Sequence, residues 1–256
     1  MRQPEFITSP TNPLLKEVRK AVNRGGLTDS GWCVAENFNL LEEALRSDCQ
    51  VHVVIAAQSV CELVTEQLSH HNGIRLVVVP DKFLDANTQG VVALVEPPAV
   101  QQTLDVLPLQ LVIDGVQDPG NLGTILRSAE AFGASAVMLV KGTVNPFNPK
   151  AVRASAGSIF RVPLLHSLDE VQLASTLSQS GAAIYAAVPN GAISLVDADL
   201  TRPCAFIIGS EGRGVGVALR SVAMDLTIPT AGVESLNAAV SAAVLLYEAR
   251  RQRNHA

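Results

Sequence analysis

Three short segments of the C-terminal half hold the residue types best suited to chemistry. They are Asp118-Pro119-Gly120-Asn121-Leu122-Gly123-Thr124-Ile125-Leu126-Arg127, Ile208-Gly209-Ser210-Glu211-Gly212, and Ile228-Pro229-Thr230-Ala231-Gly232-Val233-Glu234-Ser235-Leu236-Asn237. Each follows an apolar run that reads as a buried strand, and polar groups at strand ends are where open α/β sheets bind ligands. In the first, Pro119-Gly120 suits a tight turn and Asn121 suits a helix N-cap. From that start Thr124 and Arg127 stand three residues apart, with Asn121 beginning the same side. Free N–H groups at such a helix start attract phosphate, and an arginine offers it a planar fork. In the second, dense glycines let backbone approach a ligand closely, and Glu211 is an acceptor at the mouth of a pocket. In the third, Gly232 turns the chain and Ser235 suits the N-cap of a long helix, with Leu236 packing inward. Taken singly, each segment reads equally as a capped turn or surface loop.

Standard motifs are absent. There is no G-x-x-x-x-G-K-[ST], no G-x-S-x-G and no H-E-x-x-H. The glycines at 212, 214 and 216 miss the dinucleotide fingerprint, because the last required position falls on Val217 or Leu219. Cys33, Cys49, Cys61 and Cys204 lack metal-ligand spacing and read as small hydrophobes in a reducing compartment. No metal is expected. The adjacent His70-His71 precede an Asn72-Gly73 turn and read as a solvated helix end.

The elements that must position these segments alternate between strand and helix. In the first half, helices are expected from Pro13 through Val22 up to Gly25-Gly26, over 39–46 and over 60–69, with strands over 32–35, 51–56, 74–79 and 90–95 and a short turn or helix at 83–86. The stretch from Glu96-Pro97-Pro98 to Leu107-Pro108 is a natural linker. Strands over 109–113, 136–140, 183–187, 204–208 and 225–228 then alternate with helices over 121–132, 149–156, 169–179 and 235–253. That order implies a mostly parallel sheet covered on both faces. The domains read as 1–96, a linker at 97–107, and 108–256. The small-residue face of the last helix, with Ala238, Ala239, Ala242, Ala243 and Leu246, suits close packing within the chain or against a second subunit.

Charge says little about partners as a total and more by its distribution. Over the 256 residues the net charge is −5. Residues 1–107 carry 8 basic and 13 acidic side chains, whereas 108–256 carry 11 of each. The second half therefore has cations to gather locally, at Lys141, Lys150, Arg153, Arg161, Arg213, Arg250, Arg251 and Arg253. No apolar stretch approaches the roughly 20 residues that span a bilayer, and the N-terminus lacks a signal pattern. The expectation is a soluble, cytoplasmic protein with no membrane partner.

In order and spacing, the three segments closely resemble the three motifs of the SpoU/TrmH family of RNA 2′-O-ribose methyltransferases, in the SPOUT superfamily. The likeness covers roughly residues 109–253, departing at Thr230 and Ala238, where methionine and valine are common. The first half resembles, less specifically, the family's N-terminal substrate-binding domain, through Ser9-Pro10-Thr11-Asn12-Pro13 and Thr88-Gln89-Gly90-Val91-Val92-Ala93. A basic stretch usual before the Trp32 strand is here Thr28-Asp29-Ser30.

The resemblance implies a C-terminal SPOUT-type α/β domain with a deep trefoil knot, an exception to the rule that connections do not thread loops. It implies a smaller N-terminal α/β domain for RNA, S-adenosylmethionine as cofactor, and a homodimer with its site at the subunit interface. Backbone around Gly209, Ile228 and Leu236 would hold the cofactor. Asn121, Arg127, Glu211, Ser235 and Asn237 would form the catalytic and RNA-positioning group, with Glu211 orienting Asn121 or Arg127. The family proposal makes Arg127 the base. An arginine deprotonates only above about pH 12, so gripping the adjacent phosphate and stabilising the developing alkoxide suits it better. The substrate implied is ribosomal RNA of the 23S type. The alternatives are tRNA, a resistance-type rRNA methyltransferase, a non-catalytic RNA-binding protein of the same fold, and an α/β dinucleotide enzyme, which the glycine spacing disfavours.

Overall fold

A computed structural model gives the structure of the protein and describes residues 4–98 and 108–254. The expected linker, 97–107, falls outside the described residues from position 99 onward. By its contacts the chain divides into two compact units, Met1–Pro98 with Asn145–Arg161, and Ala99–Val144 with Val162–Ala256. A contiguous body at 108–256 does not anticipate Asn145–Arg161, which groups with the first unit.

The first unit opens with β1 (Glu5–Phe6) and α1 (Pro13–Arg24), followed by β2 (Cys33–Glu36), α2 (Phe38–Arg46) and β3 (Val51–Ala57). It continues through α3 (Cys61–Gln67), β4 (Arg75–Val79) and β5 (Val91–Val95). Helix α1 starts where expected, with Asn12 capping the Leu14 amide and Pro13 at the first turn, and stops at Gly25 with φ +68°. The sheet order is β1-β4-β3-β5-β2, with β5 antiparallel to both neighbours. Edge strand β2 is nonetheless buried at all four residues.

The second unit contains β6 (Leu109–Asp114), α4 (Pro119–Phe132) and β7 (Ala136–Val140). The chain then contributes α5 (Pro149–Ala154) to the first unit, where it packs on β2. There Arg153 pairs with the buried carboxylate of Glu36, which also accepts from Asn87, and Arg161 pairs with Glu43 at 2.7 Å. These partners are too far apart in sequence for any local pattern to show them. The second unit resumes with β8 (Leu164–Leu168), α6 (Glu170–Gln179), β9 (Ala183–Ala187), β10 (Ile193–Ser194) and β11 (Cys204–Gly209). It ends with α7 (Val217–Ser221), β12 (Met224–Thr227) and α8 (Ala238–Arg253).

Its seven strands run in the order β10-β12-β9-β11-β6-β7-β8, and every pairing is parallel. β6 and β7 are buried throughout, as expected of strands covered on both faces. The small-residue face of α8 is spent inside the chain: Ala238, Ala239, Ala242, Leu245, Leu246 and Ala249 are buried, and α8 packs on α4 and β11. Val240 and Tyr247 stay exposed on the same helix.

All four cysteines are free. Burial pushes the Cys33 thiol up to about 12, which fits a hydrophobe rather than a nucleophile. Among the described residues no helix is long and apolar enough to cross a membrane, and no His, Cys, Asp or Glu cluster could hold a metal.

Candidate active site

From β6 the chain steps to β7 on one side, while β11 lies on the other, paired in register from Cys204 opposite Leu109 to Gly209 opposite Asp114. The sheet order therefore switches direction at the β6–β11 boundary, and a crevice opens there beyond the carboxyl ends of the strands. The three polar segments all leave the sheet at this edge, one after β6, one after β11 and one after β12.

A first cavity is lined by residues following β9, β11 and β12, among them Pro189, Gly209, Ile228, Ser235 and Leu236. Gly209, Ile228 and Leu236, expected as one binding group, do meet here. The constraint at Gly209 is spatial: a Cβ there would sit 2.2 Å from the carbonyl carbon of Gly214. The close approach comes from a tight loop, in which Ser210 N donates to Gly214 O at 3.2 Å and Gly214 N donates back at 2.8 Å. Ile228 and Leu236 stand outside regular strand and helix. The cavity walls thus combine apolar side chains with closely approaching backbone, as small-molecule sites commonly do.

A second cavity adjoins the first, with Ser210, Glu211 and Ala238 on the walls of both. Its further lining includes Gly115, Gln117, Asp118, Asn121 and Arg213. Glu211, on the shared wall, closes a triangle with two more expected site residues, Asn121 of the second cavity and Asn237, which lines neither. Asn237 Nδ2 donates to Glu211 Oε1 at 3.0 Å and to Asn121 Oδ1 at 3.2 Å, and Asn121 Nδ2 donates to Glu211 Oε1 at 3.2 Å.

Two cap assignments need correction, and the corrections explain the triangle. Asn121 is not the N-cap of α4. Asp118 is, accepting the Asn121 amide at 2.7 Å, because Pro119 takes the first helical position that proline favours. The Asn121 side chain is thereby released to the site. Ser235 is likewise not the N-cap of α8. Asn237 is, its Oδ1 accepting Ala239 N at 2.9 Å and Val240 N at 3.4 Å. Capping consumes the amide oxygen and leaves Nδ2 as the end that faces Glu211. Ser235 lines the first cavity and is exposed.

Arg127 is placed differently. It is exposed, lines neither cavity, and its side chain makes no hydrogen bond or ion pair among the described residues. At about 100° per helical residue it stands about 120° around α4 from Asn121, so the two do not share a side. Thr124 spends its hydroxyl on Gly120 O at 2.9 Å.

Asp114 was not among the expected site residues, and Arg213 was expected only as one of the local cations. Asp114, fully buried at the end of β6, accepts from Arg213 Nη2 at 3.0 Å and from Gly216 N at 2.6 Å. An Asp-Gly pair closing an apolar run was the available signal, since a carboxylate buried at a strand end demands partners.

Comparison with known proteins places this geometry. The family model described as SpoU rRNA Methylase matches residues 108–247. The 23S rRNA (guanosine-2′-O)-methyltransferase RlmP of Bacillus subtilis is 32% identical, over 95% of this chain and 98% of its own length. The crystal structure of the SpoU methyltransferase AviRb from Streptomyces viridochromogenes with AdoMet superposes with a TM-score of 0.84 at 27% identity, covering 96% of this chain and all of that one. An AdoMet-bound rRNA methyltransferase from Sinorhizobium meliloti gives 0.80 at 29% identity, covering 98% of each chain.

Proposed function

The chain belongs to the SpoU rRNA methylase family and is an S-adenosylmethionine-dependent RNA (ribose-2′-O-)methyltransferase, and on that premise we propose that it methylates ribosomal RNA of the 23S type. The observation that carries the reading is the Asn121–Glu211–Asn237 triangle, whose Glu211 lines the same cavity as Gly209, Ile228 and Leu236. The preference for ribosomal RNA rests on relatives described as rRNA methyltransferases that match along nearly the whole chain, first unit included.

The first cavity fits the cofactor: the crowding at Gly209 brings backbone to its wall, and Ile228 and Leu236 supply apolar contact. When bound, S-adenosylmethionine supplies a methyl group on a sulfonium, so the displacement by a ribose 2′-oxygen asks little covalent help of the protein. What the chain contributes is position and charge. Glu211, fixed by two amide donors, holds Asn121 and Asn237 at the mouth of the cavity to orient the ribose. Ser235, with no cap to make, contacts substrate from the wall of the first cavity. Arg127 grips the phosphate beside the target and stabilises the alkoxide as the hydroxyl proton passes to solvent water.

A homodimer is part of the proposal, with Arg127 of one protomer completing the site of its partner. The exposed position of Arg127, away from its own cavities, supports that reading. The sheet order and the return of α8 onto α4 and β11 support the trefoil knot the family likeness implies.

The test is a map of ribose methylation in RNA from cells with and without this protein. Loss at one position of large-subunit rRNA is expected. Loss confined to tRNA would replace the substrate, and no loss in either RNA would leave a binding protein of the same fold.

A further inference from the structure

Resting on the reading above, we infer that Arg213, held by the buried carboxylate of Asp114, is the phosphate-binding residue of the second cavity and positions the RNA backbone there. Three observations converge. Among the described residues, Arg213 is the one cationic side chain on the walls of the two adjoining cavities, whose other charged linings, Asp118, Glu211 and Glu234, are acids. With the partner's Arg127 assigned to the phosphate beside the target, a further phosphate entering beside Glu211 falls to the one cation this chain itself places on that wall.

The guanidinium is also anchored and open at once. Its Nη2 donates to Asp114 Oδ1 at 3.0 Å, with the carboxylate 0% and the arginine side chain 65% exposed. A guanidinium has five N–H donors, and this anchor takes one of them, so a forked contact to phosphate remains open. Asp114 fixes the plane beforehand and lowers the ordering cost on binding.

The loop, finally, is built to present this residue. Arg213 N donates to Ser210 Oγ at 3.2 Å, inside the turn closed by Ser210 and Gly214. Gly115, at φ +77°, leaves room for the guanidinium, since a Cβ there would lie 3.0 Å from Arg213 Nη2. The same carboxylate takes Gly216 N at 2.6 Å, tying the far end of the loop. One short loop thus turns Glu211 toward the amide triangle and Arg213 toward the second cavity.

The experiment measures methyl transfer from labelled S-adenosylmethionine to an unmodified 23S rRNA transcript, as a function of salt, with cofactor affinity read separately by calorimetry. Arg213→Ala is expected to raise the RNA KM about tenfold with cofactor affinity unchanged. The slope of log KM against log salt should fall by about 0.7 to 0.9, the loss of one phosphate contact. Arg213→Lys keeps the charge and should keep the slope, with an intermediate KM because the fork is lost. Should the alanine chain not fold, Arg213→Gln keeps a donor for Asp114 without the charge and carries the same comparison. The inference is overturned if the uncharged variants lower kcat at unchanged KM and slope, or lose cofactor affinity in parallel, since Arg213 would then be only a strut of the loop. A wild-type protein that methylates neither 23S rRNA nor tRNA would overturn the functional reading first, and this inference with it.

Discussion

Asn237 does two jobs with opposite ends of one amide, and substitution can separate them. Its oxygen caps α8 through Ala239 N and Val240 N, and its nitrogen holds Glu211 at 3.0 Å and Asn121 at 3.2 Å. Asn237→Ala removes both. Loss of a cap costs about 1 kcal/mol, and for a chain of this size that lowers Tm by about 2–4 °C. Asn237→Ser retains a good cap and should stay within about 0.5 kcal/mol of wild type. It cannot reach Glu211 as the amide does, and a hydrogen bond to a carboxylate contributes roughly 1.5–3 kcal/mol. Both groups are exposed, so the lower end applies, and about 1.5 kcal/mol is roughly a tenfold fall in kcat. The assay pairs thermal unfolding with steady-state methyl transfer and cofactor binding. The expected pattern is a serine variant as stable as wild type, binding cofactor normally and turning over about ten times slower. A serine variant with full kcat would refute the positioning role of the triangle. One as unstable as the alanine variant would refute the assignment of Asn237 as the cap.

Gly209→Ala puts a Cβ 2.2 Å from Gly214 backbone, so the 210–214 loop must shift. Calorimetry should show cofactor affinity down at least about tenfold, with an overpacking cost of roughly 1–3 kcal/mol in unfolding. Arg127→Ala and Glu211→Gln chains, each inactive alone, should recover up to about a quarter of wild-type activity when mixed and allowed to exchange subunits; no recovery would place Arg127 in its own protomer's site. The Arg251 guanidinium, assisted by Gln252, holds the Glu248 carboxyl down to about 2 from an ordinary 4.5. Its folded value lies below the unfolded one, so the stabilisation is present above about pH 4.5 and is lost as pH falls toward 2. For a surface pair this is under about 1 kcal/mol, and Glu248→Gln should flatten the acid limb of a Tm-against-pH curve by that amount.

What the sequence made legible was local, and what it hid was pairing at a distance. The apolar runs before Asp114 and Gly209 marked buried strands, whereas β12, before Ile228, is buried only at Leu226; the turn residues after all three marked where each strand delivers the chain to the site. Short edge strands escaped notice for the complementary reason. β8 carries His166 and Ser167 in its middle, and β10 has two residues, so neither shows a periodic pattern. Helix α7 hides behind the glycines that precede it, and its first amides are taken up by Glu170, at 2.9 Å from Ala218 N. No window of residues shows that Arg153 belongs with Glu36, and hence that Asn145–Arg161 groups with the first unit.

The two misassigned caps are more instructive, because in each case the sequence offered a second competent residue three or two positions away. Pro119 could have decided the first in favour of Asp118. Nothing local decides between Ser235 and Asn237. In the structure Asn237 is the cap, and the nitrogen of the amide whose oxygen is committed to α8 also reaches Glu211 on the loop after β11. A serine cap at 235 would leave that donor free to rotate, whereas a cap at 237 ties the start of α8, the loop after β11 and the start of α4 to one side chain. The capping choice is therefore part of the site's construction.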